Sequence, residues 1–356
     1  MDIENRTVWQ QAAGDTDRNY AEICIRWDVV LNGPGHAGPW PACREALQAE
    51  QKWSARKLTD LRRFGEEMTD GGIVVLRIGT ATVLAVGEIV GPYEWSDEFG
   101  DVDGWDLQHL RRVRWLWHDR ANPKMFDTYA LKQGDTTQKL GDGPVKEWLR
   151  GLRVAPVTCR RSLVPLPPPA TQNEIGVAEI SDFLFDRGVA SSSIASLLSE
   201  IGELTRIAKW YQRSSMPSEH ETVAYLVVPL LRALGWTPQR MAVEWSFLDL
   251  ALFSELPRSD GNVRVVVEAK KMDNSCLSAI VQAQNYAEKR PGCQRLILTD
   301  GMRYGVYVRR GTEFHLHAYL NLTRLRRDYA VLGCGGAEDA LLAMAPEWNP
   351  AEAVDA

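Results

Sequence analysis

The stretch Asn262–Met272, NVRVVVEAKKM, decides how the second half of the chain is read. Val263 to Val267 form a β-branched run with one arginine in it, the composition of a strand buried on at least one face. Glu268 and Lys270 follow, two residues apart. Strand side chains at i and i+2 share a face, so the two charges stand together. Burying charge is costly unless it is paired or holds a metal. An E-x-K is also what a solvated strand edge carries, so its neighbours decide its meaning.

Those neighbours are acidic. WSFLDLALF (Trp245–Phe253) places Asp249 inside a second apolar strand, ahead of a turn region containing Asp260-Gly261 that lets it pair with the E-x-K strand. Upstream, PSEHETVAYLVVPLLRALGW reads as one helix, with Ser218 as N-cap, Glu221 completing a capping box and Gly235 as the stop. The helix CLSAIVQAQNYAEKR puts Gln282 and Tyr286 on one face at i and i+4. Strands RLILTDG and RYGVYVRR complete a mixed sheet flanked by helices. Two or three carboxylates with a backbone carbonyl make the oxygen-rich cage that suits Mg²⁺. Lys270 beside it would orient or deprotonate a water.

From about Ser218 to Arg310 the chain resembles the PD-(D/E)xK nucleases, in particular the N-terminal nuclease domain of type I restriction-enzyme R subunits. The matching residues are Glu221, Asp249, Glu268 and Lys270 in VEAKK, Gln282 with Tyr286, and the stretch LTDGMRYGVY. Leu248 stands where the proline of that motif would precede Asp249. The resemblance implies a restriction-endonuclease-like sheet and Mg²⁺-dependent hydrolysis of DNA phosphodiesters, with Mn²⁺ as a substitute. It implies a metal on Asp249, Glu268 and the Ala269 carbonyl, with Lys270 positioning the attacking water and Glu221 and Gln282 completing the catalytic set. The sequence carries no G-x-x-x-x-G-K-[ST] and no helicase motif, so no nucleotide-driven motor is expected.

Of thirteen tryptophans, nine precede the proline-rich seam SLVPLPPPATQNE (Ser162–Glu174). The strand-like runs EICIRWDVVL, GIVVLRIG, TVLAVGEIVG and RRVRWLW, with a helical stretch PACREALQAEQKWSARKLTDLRRFGEEM, predict a small α+β domain around a curved sheet or barrel. Trp40, Trp95 and Trp105 fall in glycine-flanked, loop-like contexts. Aromatic faces at loop tips suit stacking on a base drawn out of its helix. Val74–Trp95 and RRVRWLW are similar to the EVE and YTH branch of the PUA-like superfamily, over roughly residues 5 to 160. That resemblance implies a β-barrel with an aromatic pocket for a modified base, its candidates being Trp27, Trp40, Tyr93, Trp95 and Trp105. Asp28 would accept from an exocyclic amine. Arg111, Arg112 and Arg114 are candidates for DNA-backbone phosphates, although a strand does not aim all three one way.

The expected organisation is therefore α/β and α+β. A PUA-like domain spans 1–162, a proline-rich linker and helical connector 163–215, a nuclease domain 216–333 and a tail with one short helix 334–356. The connector, Glu179 to Arg213, is either a dimer contact or a cover for its own domain. The net charge of −6 gives no support to a generic nucleic-acid binder, yet Arg111–Lys124 and Arg150–Arg161 are locally cationic. Six scattered cysteines without a C-x-x-C pair suggest a reducing cytoplasm, and no apolar run has the length of a membrane span. The expected function is a homodimeric, cytoplasmic, modification-dependent endonuclease acting on double-stranded DNA. The alternatives are a non-catalytic reader of modified DNA or RNA, and a nuclease subunit that needs a separate motor.

Overall fold

The computed structural model describes residues 1–127, 129–131, 134–154 and 162–349. The last seven residues of the cationic stretch Arg150–Arg161 and the end of the expected tail, from 350, lie outside them. The chain divides into two compact units, Met1–Pro169 and Ala170–Ala356.

The first unit runs β1 (Val8–Ala12), α1 (Ala21–Arg26), β2 (Val29–Asn32), α2 (Arg44–Ala49), α3 (Ala55–Arg62), β3 (Ile73–Ile78), β4 (Thr82–Trp95), β5 (His109–His118), β6 (Lys124–Met125), β7 (Thr137–Lys139) and α4 (Pro144–Gly151). Its strands form a curled half-barrel in the order β2-β5-β4-β3-β1-β7, with β6 beside β4. β1 joins β3 in parallel, and the other pairs are antiparallel. The run EICIRWDVVL, expected as one strand, is split. Ala21–Arg26 is a helix burying Ala21, Ile23, Cys24 and Ile25, and only Val29–Asn32 is strand. A short apolar run carries no periodicity that separates the two states. β1, VWQQA, carries two adjacent glutamines and no apolar alternation that marks a strand.

In the second unit, α5 (Val177–Asp186) and α6 (Ser191–Arg213) precede α7 (Glu219–Thr222), a π turn (Val223–Val227) and α8 (Val228–Ala233). The expected single helix is interrupted just before Pro229, which has no N–H to continue the ladder. The strands are β8 (Met241–Trp245), β9 (Leu248–Phe253), β10 (Val263–Ala269), then α9 (Ile280–Glu288), β11 (Arg295–Thr299), β12 (Arg303–Arg310), β13 (Glu313–Asn321), β14 (Asp328–Tyr329), β15 (Cys334–Gly335) and finally α10 (Ala337–Met344). The sheet order is β14-β15-β13-β12-β11-β10-β9-β8, mixed, with β10 and β11 parallel and α9 between them in sequence. The expected strand Trp245–Phe253 is broken by a hairpin turn, Trp245 ending β8 and Leu248–Phe253 forming β9.

Alternation sorts the central strands between two cores. Val265, Val267, Leu250 and Leu252 join a cluster with α5, α6, α8 and α10. Val266, Ala251 and Phe253 pack on the other face, where Ala283 and Ala287 of α9 lie. The segment expected as a separate connector thus belongs to this unit: Ile180, Leu184, Ile194, Leu197, Ile201 and Leu204 are part of its core. The tail helix α10 is also core, through Ala337, Ala340, Leu341 and Met344.

Candidate functional site

Glu268 lies two residues after Val266, and Asp249 two before Ala251, so alternation directs both carboxylates to the α9 face of the sheet. β9 and β10 pair as far as Leu250↔Val267. Beyond that rung the Asp249 carboxylate takes over, its Oδ2 accepting the Ala269 N–H at 2.7 Å. Lys270, just past the end of β10, donates from Nζ to Glu268 Oε1 at 2.9 Å and to Gln282 Oε1 at 3.2 Å. Gln282 in turn donates to the Tyr286 hydroxyl at 3.4 Å, one helical turn along α9. Asp249, Glu268, Ala269, Lys270, Gln282 and Tyr286 are therefore brought together.

Burial pushes the Glu268 carboxyl above the ordinary carboxylate range, and the Asp249 charge adds to that, against the opposing pull of Lys270. Burial alone would lower the Lys270 ammonium, but its bond to Glu268 and the charges of Glu268, Glu219 and Asp249 outweigh it and raise its pKa. Lys270 is thus held as an ammonium, which donates and orients and has no lone pair with which to take a proton.

Glu221 is the exception. It stands at the third position of α7 and turns back to close the capping box: the Ser218 N–H donates to its carboxylate at 2.8 Å, and its own N–H donates to Ser218 Oγ at 3.2 Å. The helix charge that acts on both Glu268 and Lys270 is Glu219, which the sequence reading passed over. Among the described residues no group of three or more His, Cys, Asp or Glu side chains forms a cage. The two or three carboxylates expected come down to Asp249 and Glu268, with the Ala269 backbone held against Asp249 through its N–H.

The first unit holds a cavity of about 650 Å³ within the curled sheet's loops, the size of a small-molecule site. Its aromatic lining is Tyr20, Trp53 and Trp105, with Asp15, Asp106 and Lys57 among the polar groups. Trp105 is fixed from two sides, by the Arg18 guanidinium 4.2 Å above its ring and by Tyr20 edge-on at 4.8 Å. Lys57 is fully engaged with Asn32 Oδ1 at 2.8 Å, Asp60 Oδ2 at 3.0 Å and Thr136 Oγ1 at 3.3 Å. His36 bridges Asp106 (Nδ1, 2.7 Å) and Glu50 (Nε2, 2.6 Å), and Glu50 also accepts from Trp53 Nε1 at 2.7 Å. Two carboxylates on both ring nitrogens require both to carry hydrogen, so His36 is an imidazolium, and its pKa is raised although burial opposes it.

Of the expected cage, only Trp105 lines this cavity. Trp40 is core, packed with Cys43, Leu47 and Leu61 and donating from Nε1 to Glu66 at 2.8 Å. Tyr93 accepts the Trp40 N–H at 2.9 Å and donates to His109 Nδ1 at 2.6 Å, while His109 Nε2 donates to the Pro34 carbonyl at 2.7 Å. Burial lowers His109 to about 4, in keeping with that neutral tautomer. Trp95 ties its Nε1 to the Gly35 carbonyl at 3.0 Å. Trp27 caps α1, and buried Asp28 accepts the Val164 N–H at 2.9 Å, so that its carboxylate organises the chain after the sheet. The arginines also hold structure. Arg111 is buried and donates to the Phe64 and Gly65 carbonyls at 3.1 and 2.8 Å, Arg112 donates to the Val164 carbonyl, and Arg114 lies 3.9 Å from Glu88. What sequence reasoning missed is Trp53 and Tyr20, hidden inside runs read as helix and as strand flank.

Residues 9–138 match a family described as a domain of unknown function (DUF8426), and every residue lining the cavity, from Ala12 to Thr136, falls within that match. No curated protein and no solved structure matches the chain.

Proposed function

We propose that the chain is a modification-dependent DNA endonuclease, its second unit a PD-(D/E)xK nuclease and its first an EVE/YTH-like reader of a modified base. The observation that carries this reading is the junction of Asp249, Glu268, Lys270 and Gln282 on the α9 face of the mixed sheet. A disused strand pair has no reason to bury Glu268 beside a second carboxylate at a cost in solvation.

A divalent cation fits these residues, because it offsets both the burial of Glu268 and its repulsion by Asp249. Mg²⁺, or Mn²⁺ in its place, would be held by Asp249, Glu268 and the Ala269 carbonyl. When bound it supplies positive charge for the phosphoryl oxygens and a more acidic water. The chain's own groups do the positioning. Lys270, fixed between Glu268 and Gln282, presents its third hydrogen to the attacking water or the scissile phosphate. In-line attack on phosphorus would leave a 5′-phosphate and a 3′-hydroxyl. One such site cuts one strand, so a double-strand break takes two chains, as a homodimer, or two encounters.

In the first unit, the cavity between Tyr20, Trp53 and Trp105 replaces the expected cage as the place for the flipped base. The test uses purified protein, Mg²⁺ and matched plasmids that are unmodified or carry methyl-adenine, methyl-cytosine or hydroxymethyl-cytosine, with Asp249→Ala alongside. Cutting of one modified plasmid, lost in the variant, is the expected result. Uniform cutting would remove the reader. Tight binding without cutting would favour the non-catalytic reading or a missing motor subunit.

A further inference from the structure

The hairpin between β8 and β9 turns at Ser246 and Phe247, since Trp245 pairs directly with Leu248. Both turn residues have left-handed backbone, φ +47° and +71°. That is the type I′ geometry usually given to Asn-Gly, and a bulky side chain at its second position is uncommon. Phe247 is nevertheless 91 % exposed. Behind it the turn is pinned: Arg290 donates to the Ser246 carbonyl at 3.3 Å and pairs with Asp260 at 3.3 Å, and Trp245 Nε1 donates to the same Asp260 at 3.0 Å. Trp245 also packs edge-on against Phe253 at 5.2 Å. Leu248 is buried in the sheet, and Asp249 follows it. At strand rise, Phe247 Cα stands about 7 Å from Asp249 Cα.

A rigid turn that holds a large apolar ring in water, against its backbone preference and two residues from a candidate catalytic carboxylate, needs an apolar partner to reward it. We infer that Phe247 is a wedge that stacks on a DNA base beside the scissile phosphate and sets the register of the strand across Asp249 and Glu268. The inference rests on the nuclease reading of that site. A base step offers the flat apolar faces that such a ring enters, and stacking of this kind is worth about 1–3 kcal/mol per base, or roughly 5- to 150-fold in affinity.

The test compares wild type with Phe247→Gly, which suits the positive φ, and Phe247→Trp, which keeps a ring. A duplex carrying 2-aminopurine next to the cut position reports unstacking, and binding is read in Ca²⁺ so that it is separate from cutting. The expected result is that Phe247→Gly folds with an equal or higher Tm, binds the duplex at least 5-fold more weakly and loses the 2-aminopurine signal. Phe247→Trp is expected to keep both binding and signal. Binding and signal that depend on Phe247 in a protein that never cuts would keep Phe247 as a base-stacking residue and overturn its place beside a scissile phosphate, together with the nuclease reading. Unchanged binding by Phe247→Gly overturns the inference, as does a change confined to oligomeric state by sedimentation, which would assign the ring to a second copy of the chain. A wild-type chain that binds no DNA overturns both.

Discussion

The Asp249 carboxylate occupies the place of the next β-ladder rung, accepting the Ala269 amide at 2.7 Å where β9 and β10 part. It therefore has a structural duty as well as a chemical one, and two substitutions separate them. Asp249→Asn keeps a side-chain oxygen for that amide and is expected to melt close to wild type, yet to lose Mg²⁺ binding and cutting. Asp249→Ala loses both, with a further stability cost of about 1 kcal/mol for the orphaned N–H. Calorimetric melting and Mg²⁺ titration of the two variants check this, and equal Mg²⁺ affinity in Asp249→Asn and wild type would remove Asp249 from the metal site.

Glu268 sets the pH dependence of the second unit. Its carboxyl is raised, so the fold favours its protonated form. The stability linked to it is present at acid pH and lost as pH climbs through the raised folded value, starting from the ordinary 4.5. Cation binding needs the carboxylate and runs the other way, strengthening over the same interval. Mg²⁺ affinity measured from pH 4.5 upward is expected to rise in wild type and stay flat and weak in Glu268→Gln. Lys270→Met, which removes the ammonium at 2.9 Å, is expected to shift that rise to higher pH and to slow cutting by ~100-fold or more.

The two acids of α7 are expected to behave differently. Glu221→Ala opens the capping box and should cost about 1 kcal/mol in stability with Mg²⁺ affinity unchanged. Glu219→Gln should leave the melt alone and weaken Mg²⁺ binding, because its charge acts on Glu268 and Lys270. The reverse pattern in the two titrations would restore Glu221 to the site.

Much of this site is legible in the sequence because it depends on short-range periodicity. Glu268 and Lys270 share a face by the strand repeat of two, Gln282 and Tyr286 by the helix repeat, and Asp249 comes in by antiparallel pairing, as expected. Glu221 went astray because the capping box that located the helix start also uses up its carboxylate. The hairpin at Ser246-Phe247 was hidden by its composition, since nothing in Ser-Phe signals a left-handed turn. The first unit was harder to read: its cavity is assembled from loops far apart in sequence, Tyr20, Trp53 and Trp105, whose approach no local pattern encodes. The expected cage residues Trp40 and Tyr93 are instead bonded to each other, Trp40 in a core cluster and Tyr93 packed against it and tied to His109.

That contrast among aromatics is directly testable. Trp40→Ala removes a buried ring and should cost about 3–5 kcal/mol, enough to unfold the first unit in part or whole. Trp53→Ala and Trp105→Ala line the cavity and should leave a folded unit whose binding to a modified-base oligonucleotide falls by ~10-fold or more. Circular dichroism melts with fluorescence-anisotropy binding separate the two classes. A folded Trp40→Ala that fails to bind, beside a Trp105→Ala that binds normally, would return the pocket to the expected cage.

His36 gives the first unit a stability that falls as pH rises, the same sign as that linked to Glu268. Its imidazolium joins Asp106, a cavity residue, to Glu50, which holds Trp53 and also meets Lys52 at 3.2 Å, while the buried His109 nearby is neutral. The His36 pKa is raised, so the stabilisation it contributes is fully present below the ordinary histidine value of about 6.5 and is lost as pH rises through the folded value. A neutral ring donates to only one of the two carboxylates, and the wall between Asp106 and Trp53 loosens. Binding of the modified-base oligonucleotide is therefore expected to weaken on going from pH 6 to pH 8.5 in wild type, and to be weak and pH-independent in His36→Ala. Anisotropy titrations across that range, paired with NMR observation of the His36 ring protons, check both parts. A ring that titrates at or below 6.5, or binding that tracks some other group in His36→Ala, would show that the clamp does not shape the cavity.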